Sequence, residues 1–373
     1  MISKNRLNNV VTLHLFAGIL FLLPLIVTAE STTRTYYIAA EEITWNYTSS
    51  WPMNPMTGGL FSDDEKKYLE GNGRDRIGYR YRKAVYREYT DESFETLKTR
   101  GSEWEHLGLL GPVIRATVGD TIRVVFKNKL ENRSASMHPH GLEYAKESEG
   151  STYADGTAGV DRRDENIAPG ATHTYTWTVP PRSGPGPADP ASVAWLYHSS
   201  VNGTADIHAG LVGPIIVTRR FQAREDGSPA DVQREFVTLF AVFDENDSFL
   251  AERNRNELAP QSDPADTAFR QSNRMHSING YLYGNLPGLD VNAGDYVRWH
   301  VLTPGHGTDI HSPHWHGNGV TAYGRHTDTV SLPPGSRRSV TMEADNPGTW
   351  LFHCRAGDHG SRGMSSVFRV TAP

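Results

Sequence analysis

Trp350-Leu351-Phe352-His353-Cys354-Arg355-Ala356-Gly357-Asp358-His359, with Met364 just beyond, has a counterpart in the first half of the chain, Trp195-Leu196-Tyr197-His198-Ser199-Ser200. Two further pairs keep the same order: His138-Pro139-His140-Gly141 with His314-Trp315-His316-Gly317, and Gly210-Leu211 with Gly363-Met364. A repeat on this scale predicts two copies of one folding unit. The residues around it predict strands. Tyr36 to Tyr47, Val113 to Asn128, Ala171 to Val179, Val193 to His198 and Leu211 to Val217 carry β-formers, in places alternating with polar residues. Phe236 to Phe243, Val291 to Val301, Val340 to Met342, Thr349 to Phe352 and Ser366 to Val370 read likewise, with Gly-Asp turns at Gly119-Asp120 and Gly294-Asp295. No long stretch has a 3.6-residue period, so the expected fold is all-β, two tandem sandwiches with few helices. Trp51 to Ser102 reads as strands and long loops, Pro180 to Pro190 as a loop, and Asn254 to Asn273 as a polar loop.

Cys354 is the single cysteine. It cannot form an internal disulfide, so it is either a buried bystander or a thiolate with a task. Its neighbours favour the task. A thiolate with two imidazoles and a weak axial thioether is the ligand set of a type 1 copper centre, and Cys354, His311, His359 and Met364 supply it. In the first copy the aligned positions hold Ser199, Ala135, Asp206 and Leu211. One half has kept the whole set and the other has lost it together. His138, His140 and His198, which survive in the first half, would not serve a type 1 site and need another role.

The boundaries that follow are 30–219 for a first domain without type 1 copper, 220–233 for a polar linker, and 234–373 for a second domain with it. Residues 1–29 read as a signal peptide, with Lys4 and Arg6 ahead of the apolar Leu15 to Val27 and small residues at Val27-Thr28-Ala29; an uncleaved anchor is the alternative. No later segment is long and apolar enough to span a bilayer. The expected mature protein is secreted or periplasmic. A net charge of −6 gives no basic footprint for nucleic acid. Four glycosylation sequons begin at Asn46, Asn132, Asn202 and Asn246.

These motifs resemble the multicopper oxidases, within them the ceruloplasmin and hephaestin branch and the small two-domain laccases. Asp75-Arg76-Ile77-Gly78, Leu109-Leu110-Gly111-Pro112-Val113-Ile114, Gly210-Leu211-Val212-Gly213-Pro214 and His276-Ser277-Ile278-Asn279-Gly280 add to the likeness. The resemblance implies cupredoxin-like Greek-key domains and a trinuclear cluster of type 2 and type 3 copper. Carried over, type 2 copper takes His138 and His314, one type 3 copper His140 and His198, and the other His316 and His353. The sequence departs from the pattern at Ser200 and Arg355, where the family has histidines; arginine stays protonated and has no lone pair to give. The expected chain therefore has a depleted second site, wired to type 1 copper through the bond between His353 and Cys354.

The expected activity is one-electron oxidation of a donor at Cys354, with Asp358 beside it as part of a docking surface or a solvated acid. The donor is a small molecule, a metal ion or a redox protein, and the acceptor is O2 or a small molecule such as nitrite. The alternative is a non-catalytic electron carrier or copper-binding protein. Copper nitrite reductases and two-domain laccases build the second site between subunits, which implies a homotrimer. The ferroxidase reading keeps His276 and Asp358 but finds Gln271 at a glutamate position. Asp161, Asp164 and Glu165, with a backbone oxygen near Lys146, resemble a calcium loop.

Overall fold

The computed structural model describes Met1, residues 31–305 and residues 309–372. The signal-peptide reading of 1–29 falls almost wholly outside them. Residues 32–373 form one compact unit. Along it run β1 (Thr33–Asn46), the small hairpin β2 (Met53–Asn54) and β3 (Gly59–Leu60), helix α1 (Asp63–Leu69), β4 (Arg80–Tyr89), β5 (Ile114–Thr117), β6 (Thr121–Asn128), β7 (His138–Pro139), β8 (Thr172–Thr178), β9 (Ser192–His198), α2 (Gly203–Ala209) and β10 (Val212–Thr218). The second half has β11 (Arg234–Asp244), α3 (Ala251–Leu258), α4 (Thr267–Ser272), β12 (Arg274–Ile278), β13 (Asp290–Asn292), β14 (Tyr296–Leu302), β15 (Pro313–Trp315), β16 (Val320–Ala322), β17 (Arg325–Thr327), β18 (Arg337–Glu343), β19 (Gly348–Cys354) and β20 (Ser365–Thr371).

The repeat is visible in the strand pairing. Sheets β4-β1-β6-β8 and β5-β10-β9-β7 face each other in the first half, and β12-β11-β14-β18-β16-β17 and β13-β20-β19-β15 in the second. The parallel pair β1–β6 corresponds to β11–β14, and the parallel pair β5–β10 to β13–β20. The first sandwich closes over Ile38, Ile122, Phe126, Tyr175, Trp177 and Ile215, the second over Phe236, Trp299, Trp315, Phe352 and Phe368. A third apolar cluster joins them. Val85, Leu109, Leu196 and Ile216 from the first half meet Val237, Leu239, Ala241 and Phe243 from β11. That is why β11 is buried at every position from Glu235 to Phe243 instead of alternating: Phe236 and Phe240 point into the second core, and Val237 and Leu239 into the seam.

Two polar side chains stitch this seam. Asn279 donates to the carbonyls of His106 and Val237 and accepts from the Leu239 N–H, from a left-handed backbone with φ 54°. His106 is fully buried, and its Nε2 accepts from the Val237 N–H at 3.0 Å. Burial foremost, with Arg234 nearby, pushes its pKa down to about 3. A histidine depressed in the folded state contributes stability that is present above its unfolded value of 6.5 and is lost as pH falls towards the folded value. Between pH 6.5 and 5 this one group should remove up to about 2 kcal/mol. Denaturant unfolding of His106→Gln should show a shallower loss over that window than the parent.

Two readings of the sequence need correction. The stretch 254–273 is not a loop, because it holds the end of α3 and all of α4. α3 is polar, and tertiary bonds hold it: the Asn254 amide bridges both backbone groups of Arg82, and Arg253 pairs with Glu42. α4 starts at Asp266, whose side chain accepts from the Phe269 N–H. α1 also lies in a region read as strands and loops, and Ser62 with Glu65 forms a complete capping box there. The stretch between β10 and β11 is ordered, with Arg224 donating to the Pro229 and Val232 carbonyls.

Candidate metal centres

Cys354 ends β19, whose neighbours are β20 on one side and β15 on the other. The loop after it folds straight back. Cys354 N–H donates to the Met364 carbonyl and Met364 N–H to the His359 carbonyl, both at 3.0 Å. Those bonds fold the loop so that His359 lies against the sulfur, and Met364 shares a buried cluster with Cys354. His311 comes from the segment before β15, where it bridges to Leu332. The Cys354 Sγ stands 3.9 Å from His311 Nδ1 and 3.7 Å from His359 Nδ1, and the Ser312 N–H donates to the sulfur at 3.3 Å. Cys354, His311 and Met364 are buried.

These spacings test the fit to a metal. With bonds of about 2.3 Å to sulfur and about 2.0 Å to nitrogen, two ligand atoms in a trigonal plane stand about 3.7 Å apart, and in a tetrahedron about 3.5 Å. The observed separations are on the trigonal side, the arrangement of a His2Cys site. Burial first of all pushes the Cys354 thiol up, so the thiolate needs a cation beside it.

The first-half copy has the same backbone with other contents. Ser199 N–H donates to Leu211 O, Leu211 N–H to Asp206 O, and Ala135 bridges to Ile167 as His311 does to Leu332. Ser136 N–H donates to Ser199 Oγ where Ser312 N–H donates to sulfur. Ser199 Oγ in turn donates to the buried Asp206 carboxylate at 2.7 Å, with Arg133 at 3.5 Å. Hydrogen bonds occupy the space that a metal would fill.

The second group is His314, His316 and His353, whose ligand nitrogens all lie within 4.8 Å of one another. His314 and His353 are register partners across β15 and β19. His353 Nε2 is 3.2 Å from His314 Nδ1 and 3.1 Å from His316 Nε2, spacings that one cation at about 2.0 Å from each nitrogen would bridge. Burial, then His314 and His316, brings the His353 pKa down to about 4, so the ring is neutral and able to ligate at ordinary pH. Arg355 is exposed but close enough to depress His316 and His353 further. Sequence reasoning missed Asp328, which lies 3.4 Å from His314 Nε2 and has no spacing signal to reveal it.

His138, His140 and His198 gather on the first sandwich. His140 Nε2 and His198 Nε2 are 2.9 Å apart, and His138 packs on both rings. The Nδ1 atoms of His138 and His198 meet the carbonyls of Glu149 and Ser199, the kind of backbone contact that orients a ligating imidazole. Burial first, then His198, lowers the His140 pKa to about 3. Within the chain His138 packs with His140 and His198, and His314 with His316 and His353, each on its own sandwich.

The residues of the calcium expectation lie between β7 and β8. Among the described residues, Asp161, Asp164 and Glu165 are not among the groups whose ligand atoms converge. Glu165 pairs with Arg162, and Asp164 Oδ2 accepts from Gly150 N–H. Lys146 spends its ammonium on Glu149 and Asp155. Asp358, expected at the donor surface, is exposed and pairs with Arg362. His276 is buried, with its ring 5.3 Å from that of His359.

Two family models described as multicopper oxidase match residues 107–222 and 257–373. The human ferroxidase HEPHL1 is 40% identical over 363 residues, 95% of this chain and 31% of that protein. Mouse hephaestin is 41% identical over 347 residues, 91% of this chain and 29% of that protein. Rat ceruloplasmin is 41% identical over 344 residues, 90% of this chain and 32% of that protein. The chain thus spans under a third of the length of the curated relatives it matches. A blue copper oxidase from Nitrosomonas europaea superposes with a TM-score of 0.55 at 17% identity, covering 91% of this chain and 86% of that one. Another multicopper oxidase structure gives 0.54 at 20% identity, with 91% and 88% covered. These likenesses show the fold, cupredoxin-like β-sandwiches. With the repeat, the ligand groups and both family models in agreement, the chain belongs to the multicopper oxidase family, in its hephaestin- and ceruloplasmin-like branch.

Proposed function

We propose that the chain is an extracytoplasmic copper oxidoreductase that takes single electrons from a donor beside Cys354 and delivers them to a second, depleted copper site. His311, Cys354, His359 and Met364 hold type 1 copper in this reading, and His314, His316 and His353 hold the second ion. Copper supplies one-electron redox chemistry at both places. The observation that carries the reading is a covalent one. Cys354 belongs to one ligand group and His353, its neighbour in the chain, to the other. The backbone between them is the short route from donor to acceptor, and the strand register of β15 and β19 holds both ends rigid.

His138, His140 and His198 offer a further set of imidazoles on the other sandwich. We assign them to the same second site across a subunit boundary in a homotrimer, since each group alone falls short of a full cluster. Ser200 and Arg355 keep the site short of two imidazoles. The acceptor is O2 or a small molecule such as nitrite.

Copper analysis with electron paramagnetic resonance tests the proposal. The expected result is two or more coppers per chain, a blue band, and a type 2 signal. Arg355→His with Ser200→His should raise the copper content by at least one per chain. One copper with no type 2 signal would support the second reading, an electron carrier, which Arg355 beside the His316 and His353 rings favours. A ferroxidase role, suggested by the names of the relatives, is weakened by Gln271 at a carboxylate position and by the Arg362 guanidinium already on Asp358. Among the described residues no helix is long and apolar enough to cross a membrane.

A further inference from the structure

The loop from Pro181 to Asp189 and strand β9 of the first sandwich face the β16–β17 turn and the start of β18 in the second. Between them lies a cleft of about 480 Å³. Arg182, Arg337 and Arg338 line it, against one acid, Asp189. Aromatic rings, not carboxylates, hold the two inner guanidiniums. Arg337 Cζ lies 3.0 Å from the centre of the Trp195 ring, and Arg338 Cζ 5.5 Å from that of Tyr323. Among the described residues no carboxylate comes within 4.0 Å of either guanidinium. Arg338 Nη1 donates to the Arg337 carbonyl at 2.7 Å. On the same wall the buried Ser336 Oγ has no hydrogen-bond partner. Arg182, at the rim, pairs with Glu143.

Stacking on a ring returns part of the solvation that a guanidinium loses, but its planar N–H donors still want acceptors. An oxyanion is their natural complement, bidentate where the fork is free. Burial pushes the Arg337 pKa down to about 10, so the group is still charged at neutral pH. A solvated arginine patch would leave its side chains extended into water. Here Arg337 and Arg338 are half-buried, and Ser336, whose buried hydroxyl has no partner, stands on the same wall.

We propose that this cleft binds a small polyanion whose carboxylate or phosphate oxygens engage Arg337 and Arg338, with Arg182 at the rim. Trp195, under Arg337, packs so closely on Gly141 that a Cβ there would stand 2.1 Å from the ring, and Gly141 follows His140. The anion site is independent of what the copper groups do.

Calorimetric titration of the copper-loaded full chain at low ionic strength tests it, with citrate and inorganic phosphate as probes and chloride at matched ionic strength as control. At least one probe should bind saturably. Citrate binding the tighter identifies a carboxylate ligand, and phosphate the tighter a phosphate ligand. Arg337→Gln with Arg338→Gln should weaken binding tenfold or more. Arg182→Glu changes only an exposed rim residue, so it weakens binding without threatening the fold. Asp189→Asn removes the one acid and should tighten binding. The proposal is overturned if neither probe saturates, if chloride competes as well as citrate, or if Arg182→Glu and Asp189→Asn both leave the affinity unchanged.

Discussion

Cys354→Ser should abolish the blue band, remove one copper per chain, and cut electron uptake from any reductant by about three orders of magnitude or more, equivalent to about 4 kcal/mol in the barrier. The fold should survive. The protein already contains the control for this exchange, because Ser199 sits at the matching position of the first sandwich on the same backbone hydrogen bonds. There the serine has Asp206 to bond, and the carboxylate has Arg133. In the variant the new hydroxyl would accept from the Ser312 N–H and meet the two imidazoles that the sulfur now meets. A hydroxyl there is a hard, weakly acidic donor, and it neither deprotonates near neutral pH nor matches a soft metal. Metal analysis, visible absorption and single-turnover reduction read the three effects separately. A variant that stays blue, or that still passes electrons at the parental rate, would remove Cys354 from the site.

That control is visible in the sequence, where the repeat aligns Ser199 with Cys354. So are most strands, because Tyr175 and Trp177 alternate with threonines and turn inward as that pattern requires. β11 was harder to read. Its apolar residues run without a break because two cores claim opposite faces, and no periodicity can say which face belongs to which core. α3 was illegible for a different reason. Its polar residues carry no apolar stripe, and its stability comes from Asn254 and Arg253 reaching the backbone and side chains of strands far away in sequence. α1 and α4 had local signals, the Ser62–Glu65 box and the Asp266 cap, that a search for β-structure passes over. The histidine partners illustrate the limit. Spacing identifies the rings, and the repeat assigns them to copies, but only the register of β15 on β19 shows that His314 meets His353.

The second large effect lies in the seam. Lys83 on β4 and Glu245 just after β11 form an ion pair with both side chains out of water. Lys83 also donates to the His208 carbonyl and lies over the Phe243 ring, and the Tyr47 hydroxyl donates to the same Glu245 oxygen. Burial dominates both partners: it pushes the lysine down and the carboxyl up even though each has the other's charge beside it. Lys83→Met should therefore destabilise by about 3–5 kcal/mol, most of it the cost of a buried carboxylate left without its cation. Protonating that carboxylate relieves the cost, so the variant's deficit should shrink as pH falls, whereas a simple packing defect would give a deficit independent of pH. Lys83→Met with Glu245→Met should recover to within about 2 kcal/mol of the parent, because two apolar side chains of similar volume need no solvation and the losses are two hydrogen bonds, Tyr47 to Glu245 and Lys83 to the His208 carbonyl. Denaturant midpoints of the single and double variants at two pH values measure the coupling directly. If the double variant matches the single one, the pair contributes through packing alone. If it recovers, the stability of the seam belongs to the apolar cluster around Phe243 and Leu239, and the charges serve to fix how the first sandwich, with His138, His140 and His198, is set against the second.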